Sequence, residues 1–205
     1  MPSSGVVTLI DADERAEPSA QHPTVVIGTG QSQVAYPNML EQFDFTAYGS
    51  PAADTFTSDS HFDVVQDVVL NNQLGFFDGE FTMTFPINGK TYPSIPSIHV
   101  KTGDWVKLYF VGNGIAPHSM HLHGHVFTVL AHNGKPLTGS PIHVDTLNIN
   151  PGESFDVGFI ANNPGLWMFH CHMVFHDAHG MDMMLEYANI STPYTIGKTS
   201  GNNPF

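Results

Sequence analysis

An all-β sandwich or barrel is the fold class predicted for most of this chain, on three observations. From about Val64 onward, short apolar or alternating runs recur at close spacing. Gly, Pro and Asn turns separate them, and no stretch holds a helical apolar period beyond a turn or two. Strands spaced in this way pack as sandwiches or barrels. The chain has 205 residues and 41% hydrophobic content, enough for one substantial domain plus additional chain, or two small domains.

In order, residues 1–63 read as an extension or linker, in which Val6–Ile10 and Thr24–Ile27 are strand-like and Tyr36 to Ser60 is rich in turn formers. It fits the tail of a preceding β domain and a wrapping extension equally. Residues 64–192 form the predicted domain. There Phe81 to Phe85 alternates, Pro86 to Lys90 turns, and Ile98-His99-Val100 leads through Gly103-Asp104 into Trp105 to Val111. Val126 to Ala131, the Asn133-Gly134 hairpin signal, Asp145 to Ile149, the Pro151-Gly152 turn, Phe155 to Ile160 and Gly165 to His172 follow. A short helix is predicted near Met173 to His179, and 193–205 is a tail. Val106, Leu108, Phe110, Phe155, Val157 and Phe159 are the expected core.

Charge and cysteine usage narrow the function. Six Lys and Arg against nineteen Asp and Glu give a formal net charge of −13, which argues against nucleic acid or an anionic membrane as partner. No basic, apolar leader is visible at the start, and no apolar run is long enough to span a membrane. The single cysteine, Cys171, excludes an internal disulfide.

Cys171 lies in the stretch His170-Cys171-His172, followed by His176, His179 and Met181. In an extended strand, His170 and His172 share one side and Cys171 faces the other, so one tripeptide can serve two metal sites. A second cluster contains His118, His121, His123 and His125. Packed imidazoles repel when protonated and cost desolvation when buried, unless a metal holds them neutral. His22, His61, His99, His132 and His143 stand alone and are expected as surface or hydrogen-bonded residues. Zinc also takes such ligands, but one thiolate among imidazoles, with a late methionine, favours copper.

The two clusters resemble the C-terminal copper motifs of the multicopper oxidases, the laccase-like enzymes: His-Pro-x-His-Leu-His-Gly-His, then His-Cys-His-x-x-x-His-x-x-x-x-Met or Leu. Ser119 stands where proline is usual, at a position that is not a ligand. The likeness runs from about Phe76 to Tyr187 and implies a cupredoxin-like Greek-key β-sandwich with an irregular N-terminal extension. It implies that His118, Cys171 and His176 hold type 1 copper, with Met181 axial. His121 would bind type 2 copper, and His123, His170 and His172 the type 3 pair; His125 and His179 match no ligand position. A substrate electron would enter through the edge of His118 or His176 and pass from Cys171 to His170 and His172, with dioxygen reduced to water beyond them. An axial methionine lowers the potential relative to leucine, so Met181→Leu should raise it in a redox titration. An unchanged or lower value would sink that expectation.

The family's oxygen-reducing cluster also needs two His-x-His motifs from an N-terminal domain, and residues 1–117 contain none. The resemblance therefore implies a partner: an N-terminal multicopper oxidase domain or chain, or identical subunits, together with dioxygen and a small reducing substrate. A secreted or periplasmic location is also implied. The competing reading is a non-enzymatic blue copper protein that transfers electrons or binds copper with the type 1 site alone; His121, His123, His170 and His172 count against it.

Overall fold

The computed structural model describes residues 6–10, 25–28, 45–57 and 59–193. His22, the segment between the first two strand-like runs and most of the tail lie outside them. The chain divides into two units, Met1–Phe43 and Asp44–Phe205. In the first, β1 (Val6–Ile10) and β2 (Val25–Gly28) pair antiparallel.

The second unit begins with a 3-10 turn at Phe45–Ala47. Its strands are β3 (Val64–Leu70), β4 (Gln73–Phe77), β5 (Glu80–Thr84), β6 (Ile98–Val100), β7 (Trp105–Gly112), β8 (His118–Leu122) and β9 (Phe127–His132). They continue with β10 (Lys135–Pro136), β11 (His143–Val144), β12 (Thr146–Ile149), β13 (Ser154–Ile160), β14 (Leu166–Cys171) and β15 (Asp182–Tyr187). Between the last two lies the helix α1, Val174–Asp177, shorter than the stretch predicted.

Two sheets make the sandwich. One runs β10-β9-β13-β7-β3 with β11 on β9; the other runs β12-β8-β14-β15-β6. Strands β4 and β5 form a separate ribbon. Alternation along each strand sends one set of side chains into a shared core that unites Val106, Leu108, Phe110, Phe155, Val157 and Phe159 of the first sheet with Met120, Leu122, Phe169, Met183 and Leu185 of the second. Asn133 and Gly134 both take positive φ, 50° and 73°, the conformation a two-residue hairpin requires, and Lys135 pairs with His132 across it. Phe56 and Phe62, ahead of β3, pack with Trp105 and Leu130 as a satellite cluster.

Strands β4, β8 and β15 were not among the predicted runs. Their residues, QLGFF, HSMHL and DMMLEY, mix polar and flexible side chains that carry little intrinsic strand signal. Pairing supplies it: β8 lies between β12 and β14, and β15 between β14 and β6.

Candidate metal centre

β8 and β14 lie side by side, with His170 opposite His121 and Cys171 opposite Met120. On β8, His118, Met120 and Leu122 point inward, and Ser119 and His121 outward. On β14, Phe169 and Cys171 join the core while His170 takes the other face. The two predicted ligand sets therefore fall on opposite faces of one sheet.

Inside, three donors converge. His118 Nδ1 lies 3.2 Å from His176 Nδ1, and Cys171 Sγ lies 3.6 Å from His176 Nδ1. All three donor atoms fall within 4.8 Å of one another, the one such grouping of three among the described residues. The loop from β14 closes this site by main-chain bonds: His176 N–H donates to Met173 O, Met181 N–H to His176 O, and Cys171 N–H to Met181 O. Gly180 makes that return at φ 101°, where a Cβ would sit 2.6 Å from Thr91. Met181 is fully buried.

The surroundings favour neutral imidazoles. Burial and the neighbouring His176 push His118 down to about 4, and burial lowers His176. Burial raises the Cys171 thiol. Neutral nitrogens facing a sulfur in a dry site make a soft, mixed donor set that fits copper. A separation of 3.2 Å also suits two nitrogens each about 2 Å from a common ion.

The thiol is then the group that must lose a proton when metal binds. Copper affinity should fall about tenfold for each unit of pH decrease between pH 8 and 5, because one proton is released per ion. Calorimetry in buffers of different ionisation enthalpy should count one proton; a count of zero or three would refute this.

On the other face, four imidazoles gather. Ring centroids are 4.9 Å apart for His121 and His123, 5.2 Å for His121 and His172, and 5.2 Å for His123 and His170. His123 Nε2 lies 3.1 Å from His170 Nε2. His121 Nδ1–H donates to Asp145 O at 2.9 Å; a carbonyl can only accept, so Nε2 keeps its lone pair for a ligand. Burial and the three neighbouring imidazoles lower His123. A cleft of about 500 Å³, lined in part by His121, His125, His143 and Asp145, borders the cluster.

Three further features bear on these two sites. Asp177 is buried and its Oδ2 lies 3.2 Å from His170 Nδ1, an ion-pair contact without well-aligned hydrogen-bond geometry. Burial alone would lower His170, but Asp177, together with Asp182 and the Cys171 main chain, outweighs it and holds the imidazole above its ordinary value. Neither His118 nor His176 shows an open edge: they are 0% and 5% exposed. Phe85 stacks on His176 at 3.9 Å, and Phe85 and Phe175 meet edge to face. Of the isolated histidines among the described residues, His132 stacks on Phe155, His143 pairs with Asp54 and His99 with Glu186.

The third is Asp182, opposite His170 in the strand register and 1% exposed, with Oδ1 unpartnered. Burial, then Asp177, push it up to about 7. A carboxyl raised above its unfolded value near 4 destabilises the fold progressively as pH rises from about 4 to about 7. Asp182→Asn should therefore raise the Tm of the metal-free protein more at pH 8 than at pH 5. An equal gain at both would show that its charge is not the cause.

A β-sandwich whose paired strands bear a buried His/Cys/His trio and, behind it, an imidazole cluster defines a copper-protein architecture. Residues 62–190 match the multicopper oxidase family, and the chain belongs to that family. It is 34% identical over 101 residues to multicopper oxidase MmcO of Mycobacterium tuberculosis, covering 49% of this chain and 19% of that protein. It is 30% identical over 192 residues to the iron transport multicopper oxidase fio1 of Schizosaccharomyces pombe, covering 78% and 30%. The fold is similar to that of the blue copper oxidase of Nitrosomonas europaea, with TM-score 0.55 and 32% identity over 67% of this chain and 49% of that one. The chain thus spans under a third of these curated relatives.

Proposed function

We propose that this chain is the C-terminal copper-bearing part of a laccase-like oxidase, with residues 64–192 as its cupredoxin domain. His118, Cys171 and His176 hold type 1 copper with Met181 axial. His121 contributes to the type 2 site, and His123, His170 and His172 to the type 3 pair. The observation that carries this reading is the strand geometry at His170-Cys171-His172, where one peptide unit on each side of Cys171 joins a buried three-donor site to the imidazole cluster on the opposite face.

Bound copper would supply one-electron oxidation of a reducing substrate at the first site and reduction of dioxygen to water at the completed cluster. The protein's own groups prepare for this. Phe85 and Phe175 exclude water from His176, and Phe85 also meets His118 edge to face. Asp145 O holds a proton on His121 Nδ1, leaving its Nε2 as a donor, and the Asp177 carboxylate, 3.2 Å from His170 Nδ1, favours a proton on that nitrogen by its charge. The remaining histidines come from another domain or chain, or from a second copy, and a secreted or periplasmic location belongs to the same reading.

The deciding experiment is copper content per chain with EPR and dioxygen uptake, on this chain alone and with an N-terminal multicopper oxidase domain supplied. The expected result is one thiolate-bound copper and a second, imidazole-only copper on this chain, with oxygen uptake only when the partner is supplied. No uptake with the partner at full copper loading would favour a blue copper electron carrier. That second reading has one observation in its favour: the three-donor site is complete within the chain.

A further inference from the structure

We infer that Tyr187 and His125 are positioning residues for His123: a hydrogen-bonded chain from Asn163 through Tyr187 and His125 to the His123 carbonyl fixes the turn that presents the His123 imidazole. The inference rests on the reading of His123 as a copper ligand.

His123 lies just past the end of β8, so the sheet ladder alone does not set its ring. Its N–H donates to Met168 O at 3.0 Å. Beyond it Gly124 turns at φ +70°, and a Cβ there would meet the Asn163 side chain at 2.9 Å and the Trp167 ring at 3.0 Å. The turn is thus packed beneath Trp167 with no room for a side chain. Its two carbonyls are both held. Asn163 Nδ2–H donates to Gly124 O at 3.1 Å, and His125 Nδ1–H donates to His123 O at 3.0 Å.

The direction of the chain follows from the acceptors. A carbonyl cannot donate, so His125 carries its proton on Nδ1, and in the neutral ring Nε2 must accept. It accepts from the Tyr187 hydroxyl at 2.7 Å, and that hydroxyl oxygen accepts from Asn163 N–H at 3.2 Å. Trp167 Nε1–H donates to Asn163 O at 2.7 Å, tying the loop to β14. Tyr187 and His125 are 3% and 6% exposed, and their rings stack at 5.9 Å. Apolar residues of the same size would fill this space but leave the His123 carbonyl unpaired. The polar pair instead orients the peptide from which the His123 side chain projects, the role that outer partners play at metal sites.

Tyr187→Phe keeps the ring and removes the hydroxyl. Copper(II) alone is titrated into the full metal-free chain, wild type and variant, and followed by EPR and by the visible absorption of thiolate-bound copper. The thiolate-bound ion should bind equally well in both, because its donors lie on the other face. The imidazole-only copper should bind about tenfold more weakly in the variant, with an altered EPR signal. Equal affinity for that second ion, or equal loss at both sites, would overturn the positioning role. A wild type with no imidazole-only copper would overturn the reading of His123 as a ligand as well, so the two failures are distinguishable. Independently of any variant, ¹⁵N NMR of the wild type should show His125 protonated on Nδ1; the opposite tautomer would refute the chain.

Discussion

On the proposed reading, Cys171→Ser is expected to remove the thiolate-bound copper and, with it, the dioxygen uptake of the chain and its partner. The side chain is fully buried and belongs to the core cluster, so serine, close in size, should leave the sandwich folded. The chemistry does not survive. A thiolate is a soft ligand that deprotonates when metal binds, whereas a hydroxyl in the same dry site keeps its proton and offers only a weak, hard oxygen. The visible absorption of thiolate-bound copper should vanish. Dioxygen uptake should fall by more than the roughly 100-fold loss typical of outer-partner mutations. His121, His123, His170 and His172 lie on the other face, so imidazole-bound copper should persist by EPR. Retained visible absorption in the variant would refute the assignment of Cys171.

The largest loss of stability is expected from Phe110→Ala. Phe110 is fully buried on β7, with ring centroids 6.0 Å from Phe127 and 5.9 Å from Phe169. Truncating a buried phenylalanine costs about 3–5 kcal/mol, because lost transfer energy and the residual cavity add. A domain of this kind has about 5–15 kcal/mol in total, so the variant should be marginal. Phe169 immediately precedes His170, so the cavity would open beneath the strand that carries both donor sets. Urea unfolding of the metal-free protein measures the change; a loss below about 1 kcal/mol would show that the sandwich collapses into the space.

The parts of the fold legible in the sequence are those whose signal is local. Phe155, Val157 and Phe159 alternate, Asn133-Gly134 demands positive φ, and both fell where expected. The alternation along His170-Cys171-His172 likewise puts the two histidines on one face and Cys171 on the other, where His118 and His176 meet it. What the sequence did not reveal depends on distant chain. Strand β15 exists because β14 and β6 flank it, not because DMMLEY favours extension. Asp177 and Asp182 look like surface acids until α1 and the strand pairing bury them around His170. An acidic residue directly after His176, inside a metal motif, was the available clue to Asp177. Phe85 gave none, because its place over His176 follows from β5 and from its N–H bonding to His179 O.

The pairing of β14 with β8 and β15 has a consequence for how this protein can fail. Side chains alternate with a period of two, so a slip of one residue along either ladder would exchange the two faces. Cys171 would then enter the imidazole cluster, and His170 would be forced into apolar packing. A one-residue slip preserves neither site. Misfolding at this strand should therefore yield protein that is either fully competent for copper or wholly inert, and folding under copper limitation, when no metal selects the correct alignment, is when the inert fraction should accumulate.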